Sequence, residues 1–69
     1  MVRRVSGKKI KEAREAAGKG VVELAELVGV TYSAISHYES GAKTPGANIL
    51  ATIASALNVP MDDLTETVE

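Results

Sequence analysis

Apolar residues recur at helical spacing in five short stretches, each closed by a residue that breaks or caps a helix. Ile10, Ala13 and Ala17 stand on one face among Lys8, Lys9, Lys11 and Glu12, which predicts a first helix over residues 7–17. The Ser6 hydroxyl can cap its start. Gly18 and Gly20 end it, since glycine adopts the left-handed conformation at least cost. Leu24, Ala25, Leu27 and Val28, with Glu23 and Glu26 outside, predict a second helix over 21–28, stopped by Gly29. Thr31 is a strong cap for a third, 32–39, which Ser40-Gly41 ends. Lys43-Thr44-Pro45-Gly46 reads as a loop. Ile49, Leu50, Ile53, Ala54 and Leu57 predict a fourth helix over 47–57, with Asn58 in a left-handed turn after it. Pro60 suits the start of a last short helix, 61–66, carrying Met61 and Leu64. The strand signal is weak, because Val21-Val22 is too short and leads into helical spacing. The expected fold is all-α: a compact five-helix domain over residues 6–66, preceded by a flexible basic arm over 1–5.

At 69 residues the chain has room for one domain. Any effector sensor is expected in another chain or segment. There is no cysteine, which excludes disulfide scaffolds, thiolate metal sites and thiol nucleophiles. His37 is the only histidine and no carboxylate cluster accompanies it, so no metal and no cofactor are expected. No apolar run reaches membrane-spanning length. Met1 to Ser6 does not read as a signal peptide, so a cytoplasmic protein is expected. Asp62 and Asp63 suit a helix N-terminus, where the dipole favours them. With no phosphate loop, triad or metal cluster, an enzyme is not expected.

Charge adds a polarity. The net charge is −1, too low for a nonspecific nucleic-acid coat. Yet residues 1–20 hold seven bases against two acids, and residues 46–69 hold four acids and no base. That distribution fits a domain with one face toward phosphate, and equally a solvated surface whose charges segregate by chance.

The second and third helices are joined by a very short link centred on Gly29. Ala25 lies four residues before this glycine and Ile35 six after it. Closely crossing helices need a small residue at the contact, which Ala25 supplies. The turn favours glycine, and Ile35 points back into the crossing with Leu24, Val28, Val30 and Tyr38 around it. This is the pattern of a helix-turn-helix, which holds its second helix proud for the DNA major groove. An ordinary helical hairpin in a five-helix globule fits the same residues.

From Ser6 to Leu64 the sequence resembles the Cro/C1-type helix-turn-helix family of phage repressors and bacterial regulators. The resemblance is carried by Ile10, Arg14, Leu24-Ala25, Gly29-Val30, Ser33, Ile35-Ser36 and Glu39. Gly41, Pro45, Ala54, Leu57, Val59 and Leu64 continue it. It implies a lambda-repressor-like domain that binds double-stranded DNA, with Arg14 and Glu39 as a structural ion pair able to meet fork to fork. It implies base contacts from Tyr32, Ser33, Ser36 and His37. None of these is Arg, Asn or Gln, the strongest bidentate base readers, so groove shape or paired half-sites would have to contribute. Phosphate contacts are expected from Thr31, Ser40, Lys43 and Thr44, from helix-end amides near Gly46 and Asn48, and from Arg3 and Arg4 of the arm. At the start of helix two the family usually has Ser or Thr and then Gln, which grips phosphate. Here Gly20 and Val21 stand there, leaving backbone amides alone. The expected function is a sequence-specific transcriptional regulator that pairs into a homodimer through the C-terminal helix. The alternative is an antitoxin-like or accessory module on the same fold, whose main partner is a protein.

Overall fold

The computed structural model describes residues 2–68. Its elements run β1 (Val2–Val5), α1 (Gly7–Ala16), α2 (Val21–Val28), α3 (Tyr32–Ser40), α4 (Ala47–Leu57), a 3-10 turn (Met61–Leu64) and β2 (Thr65–Val68). Among the described residues there are thus four α-helices and a small two-stranded antiparallel sheet, not five helices.

Local chemistry sets the helix ends. The Ser6 hydroxyl accepts from the Lys9 amide at 3.2 Å and starts α1. Thr31 does the same for α3, accepting from Ala34 N at 3.1 Å. Thr31→Ala should therefore destabilise the domain by about 1 kcal/mol, the usual worth of such a cap, measurable as a lower melting midpoint. An unchanged midpoint would deny Thr31 this role. The α2–α3 turn depends on Gly29 at φ +81°, where the Ala25 carbonyl accepts from both the Gly29 and Val30 amides. Asn58, at φ +58°, closes α4 in the same left-handed conformation.

Five side chains with relative exposure of 0 %, or nearly so, define the core: Ile10, Leu24, Ile35, Ile53 and Leu64. Each comes from a different element, so no helix can leave without exposing a fully buried chain. Each such burial is worth about 1.5–3 kcal/mol. Ala25, Leu50, Ala54 and Leu57 fill the space between them. Leu27 departs from the expected apolar face of α2 and is 53 % exposed. At about 100° per residue, Leu24, Ala25 and Val28 define the inward side, and Leu27 stands roughly a quarter-turn or more away from its middle.

The two ends of the chain correct the sequence reading most. Residues 2–5, expected as a flexible arm, form a strand; Met1, the arm's first residue, lies outside the described residues. β1 pairs antiparallel with β2 in the register Val2↔Val68, Arg3↔Thr67, Arg4↔Glu66 and Val5↔Thr65. The Ser6 amide continues the ladder by donating to the Leu64 carbonyl at 2.9 Å. The expected helix over 61–66 is a single 3-10 turn that stops at Leu64. The Thr65 amide makes the last 3-10 bond, to the Asp62 carbonyl, and the extended backbone of Thr65 itself, at φ −122°, ends the turn. The Thr65 hydroxyl donates to that same carbonyl at 2.9 Å. The β-branched Thr65-Glu66-Thr67-Val68 then favours strand once a partner is in reach. Leu64 is completely buried and completes the domain's own core.

Candidate nucleic-acid interface

The outer side of α3 presents one polar stripe. Ile35 is turned inward and fully buried against Leu24 and Ala25. On the other side of α3, Ser33, Ser36, His37 and Ser40 are exposed, at spacings of three and four that place them on one face. Tyr32 stands 56 % exposed at the start of the same helix. The four expected base readers are thus gathered on one accessible surface.

The expected phosphate ligands are not equivalent. The Thr31 hydroxyl is engaged as a cap. The Ser40 hydroxyl donates to the His37 carbonyl and accepts from the Ala42 amide at 3.3 Å, so it shapes the end of α3. Lys43 is held by its backbone amide, which donates to the His37 carbonyl at 3.2 Å, and its ammonium is exposed. Thr44 is exposed beside it, while Pro45 is buried and anchors the loop.

Helix ends supply further anion acceptors. α1 and α3 are capped by side chains, but α2 and α4 begin after Gly20 and Gly46 with no side-chain cap. Their first-turn amides, at the positive end of the helix dipole, remain available to an anion. At α2 this is offset by Glu23 in the first turn, held 3.7 Å from Lys19. At α4 no acidic residue intervenes, so its start is the better acceptor.

Behind the stripe lies a rigid brace. Arg14 Nε donates to Glu39 Oε2 at 2.6 Å and Nη2 to Oε1 at 3.1 Å, a fork-to-fork pair. Its Nη1 donates to the Lys19 carbonyl at 2.9 Å. The two side chains are 10 % and 9 % exposed. Each guanidinium nitrogen is thus engaged, and the group is turned inward, away from any phosphate. The hydrogen bonds to Glu39 raise the Arg14 pKa further, against the opposing effect of burial. At the other end of α1, Gly7 lies against the backbone of α3. A Cβ there would meet the Tyr38 and Glu39 carbonyl oxygens, the latter at 2.6 Å. Sequence reasoning missed this contact; its one local trace is a glycine opening an otherwise lysine-rich first turn.

Arg3 and Arg4 do not form a free arm. Arg3 shares the inner sheet face with Val5 and is held by the β2 side. Its Nη2 donates to Thr65 Oγ1 at 2.6 Å and to the Asp62 carbonyl at 3.1 Å, and its Nε also donates to Thr65 Oγ1, at 3.0 Å. Arg4, on the opposite face, pairs with Glu66 through Nε at 3.1 Å. Among the described residues no group of three or more acidic or histidine side chains could hold a metal. Among these residues, too, no helix is long and apolar enough to cross a membrane.

Residues 10–64 match the profile of the helix-turn-helix family, which spans most of the chain. The chain belongs to this family, in its Cro/C1-type branch. An HTH-type transcriptional regulatory protein of Methanocaldococcus jannaschii is 40 % identical over 58 residues, covering 84 % of this chain and 18 % of that protein. This chain thus spans less than a fifth of that relative's length. Among solved structures, the P22 c2 repressor bound to a synthetic operator superposes with a TM-score of 0.81 at 28 % identity, covering 88 % of this chain and 92 % of that one. SinR, the biofilm regulator of Bacillus subtilis, gives 0.79 in complex with DNA at 34 % identity, covering 84 % and 94 %. SinR is also known in complex with the SinI protein.

Proposed function

We propose that the chain is a sequence-specific DNA-binding transcriptional regulator that lays α3 in the major groove. The observation that carries this reading is the exposed stripe Ser33, Ser36, His37 and Ser40, held outward by the Ala25–Gly29–Ile35 crossing. Tyr32, Ser33, Ser36 and His37 would meet base edges. Lys43, Thr44 and the amides at the start of α4 would hold phosphate, which fixes register without reading sequence. Tyr32 would lie against a phosphate or a thymine methyl, and Thr31 would add at most a backbone contact beyond its cap. A short serine-rich reader gains from symmetry, so a homodimer on a palindrome is proposed, with half-sites about 34–36 Å apart. Its contact would use the C-terminal segment around Val59, Met61 and Val68, since Leu64 is fully engaged within the domain. Action on DNA would place the protein in the cytoplasm.

Selection from a random duplex pool, followed by titration of the winner across salt, tests this reading. Enrichment of a two-fold symmetric motif with salt-sensitive binding is expected. Lys43→Ala should weaken binding to selected and random duplexes alike and reduce the slope of log K against log salt by about one. A pool that yields no motif, and no binding that responds to salt, would remove the proposal.

A second reading is favoured by α2. Val22 and Leu27 are 58 % and 53 % exposed on that helix, and Val21 stands where the family carries a phosphate-gripping Gln. On this reading the fold serves chiefly to bind a protein, and Val22→Asp with Leu27→Asp would abolish that partner's capture while sparing DNA binding.

A further inference from the structure

Arg3 and Arg4 are neighbours in sequence with opposite surroundings. Arg3 is consumed by the sheet. Arg4 uses only Nε on Glu66, and among the described residues both its terminal amino groups have no partner. The pair is open to solvent, with Arg4 67 % and Glu66 41 % exposed.

These two side chains form one wall of a cleft of about 320 Å³ between the two-stranded sheet and the end of α3. The opposite wall carries Tyr38, Lys43 and Thr44, and Gly7 lines the cleft where α1 abuts the α3 backbone. Among the described residues Glu66 is the one carboxylate lining it. A neighbouring notch shares Glu66, Gly7 and Gly41 and is lined as well by Lys8, Ser40 and the Arg14-bound carboxylate of Glu39. Since Ser40 ends the outward stripe of α3, the cleft continues the proposed DNA-facing surface rather than standing apart from it.

We propose that this cleft is a second phosphodiester-binding site, latched by Glu66, in which Arg4 passes from the carboxylate in the free protein to a DNA phosphate in the complex. It rests on the DNA-binding reading and extends the footprint from the α3–α4 loop onto the sheet formed by the two terminal strands. The charges support the exchange. Lys43 and the unused Arg4 amino groups attract a phosphate oxygen, and the Thr44 hydroxyl can donate to it. Glu66 repels the same oxygen unless Arg4 neutralises it. An exposed ion pair is cheap to break, whereas DNA concentrates phosphate charge along its backbone. The carboxylate left behind takes up a cation, so one fewer counterion is released overall. Glu66 thereby lowers both affinity and salt dependence.

The test compares the unaltered chain with Glu66→Gln, Arg4→Gln, the double variant and Asp63→Asn on one random-sequence duplex over a range of salt. Asp63→Asn makes the same charge change away from the cleft. Glu66→Gln is expected to tighten binding by up to about fivefold at low salt and to steepen the log–log salt slope by about one. Adding Arg4→Gln should abolish both gains, and Asp63→Asn should leave the slope alone. Melting midpoints close to that of the unaltered chain are expected throughout, because the pair is exposed. The latch is overturned if Glu66→Gln leaves the slope unchanged, keeps its gain without Arg4, or merely equals Asp63→Asn. An unaltered chain with no salt-sensitive binding overturns the DNA reading itself, whereas binding that ignores Glu66→Gln overturns the latch alone.

Discussion

Arg14→Ala is expected to cost about 3–5 kcal/mol of stability, the range for breaking one partner out of a buried ion pair. The change strands the Glu39 carboxylate, only 9 % exposed, without its two guanidinium bonds. It also leaves the Lys19 carbonyl without its donor. The loss is a large share of the roughly 5–15 kcal/mol that hold a domain together. At about 4–8 °C per kcal/mol in a domain of this size, the thermal midpoint should fall by more than about 10 °C. Arg14→Lys should recover little, since one ammonium cannot supply the fork and the third bond together. The raised Arg14 pKa sets the sign of the pH response. A group whose pKa is higher in the folded state stabilises below its unfolded pKa and loses that effect only as pH rises through the folded value. For arginine that window lies far above neutral pH, so titration of Arg14 should leave stability flat across neutral pH. The folded fraction should keep the parent's base preference. A variant that melts like the parent would sink the assignment of this pair as the brace of the helix-turn-helix.

Gly7→Ala carries the second large effect, and its sign runs against intuition. In a helix interior, alanine is normally about 1 kcal/mol better than glycine. Here the added methyl would run into the Tyr38 and Glu39 carbonyl oxygens. Both obstacles are backbone of α3, so relief requires α1 to move off α3 as a body. That movement would stretch the Arg14–Glu39 bonds a turn or two further along. Overpacking of this kind costs about 1–3 kcal/mol and sometimes more, and the upper end is expected. Gly20→Ala is the control: a Cβ there meets nothing within 4 Å, and the exchange of one cap for a poorer one should cost about 1 kcal/mol or less. Denaturant titration of the two variants decides the matter. Equal midpoints would show that α1 and α3 do not approach as closely as the structure has them.

These two residues show how differently parts of the molecule are written into the chain. Arg14 and Glu39 were paired through the family resemblance, because nothing in their local spacing brings together residues 25 apart in sequence. Gly7 left almost no trace, since a glycine in a first helical turn is compatible with any environment. The latch residue Glu66 was invisible for a further reason: its partner Arg4 lies 62 positions away, and the segment containing Glu66 read as the end of a helix.

What the sequence by itself determined are the features governed by neighbours three or four residues apart. The apolar spacing of α1 to α4, the hydroxyl caps Ser6 and Thr31, and the left-handed closures at Gly29 and Asn58 all lie within one helical turn. The Ala25–Gly29–Ile35 crossing that turns the reading face of α3 outward spans ten positions, still a local pattern. Only the tertiary structure decided the rest. Val2–Val5 and Thr65–Val68 become strands because α1 and the 3-10 turn, docked on a common core, deliver the two ends of the chain side by side. Four residues of either strand have no stable partner until that happens. The same docking splits the two arginines, turning Arg3 into the sheet and Arg4 toward the cleft. It also leaves Leu27 outside a face to which its spacing had assigned it.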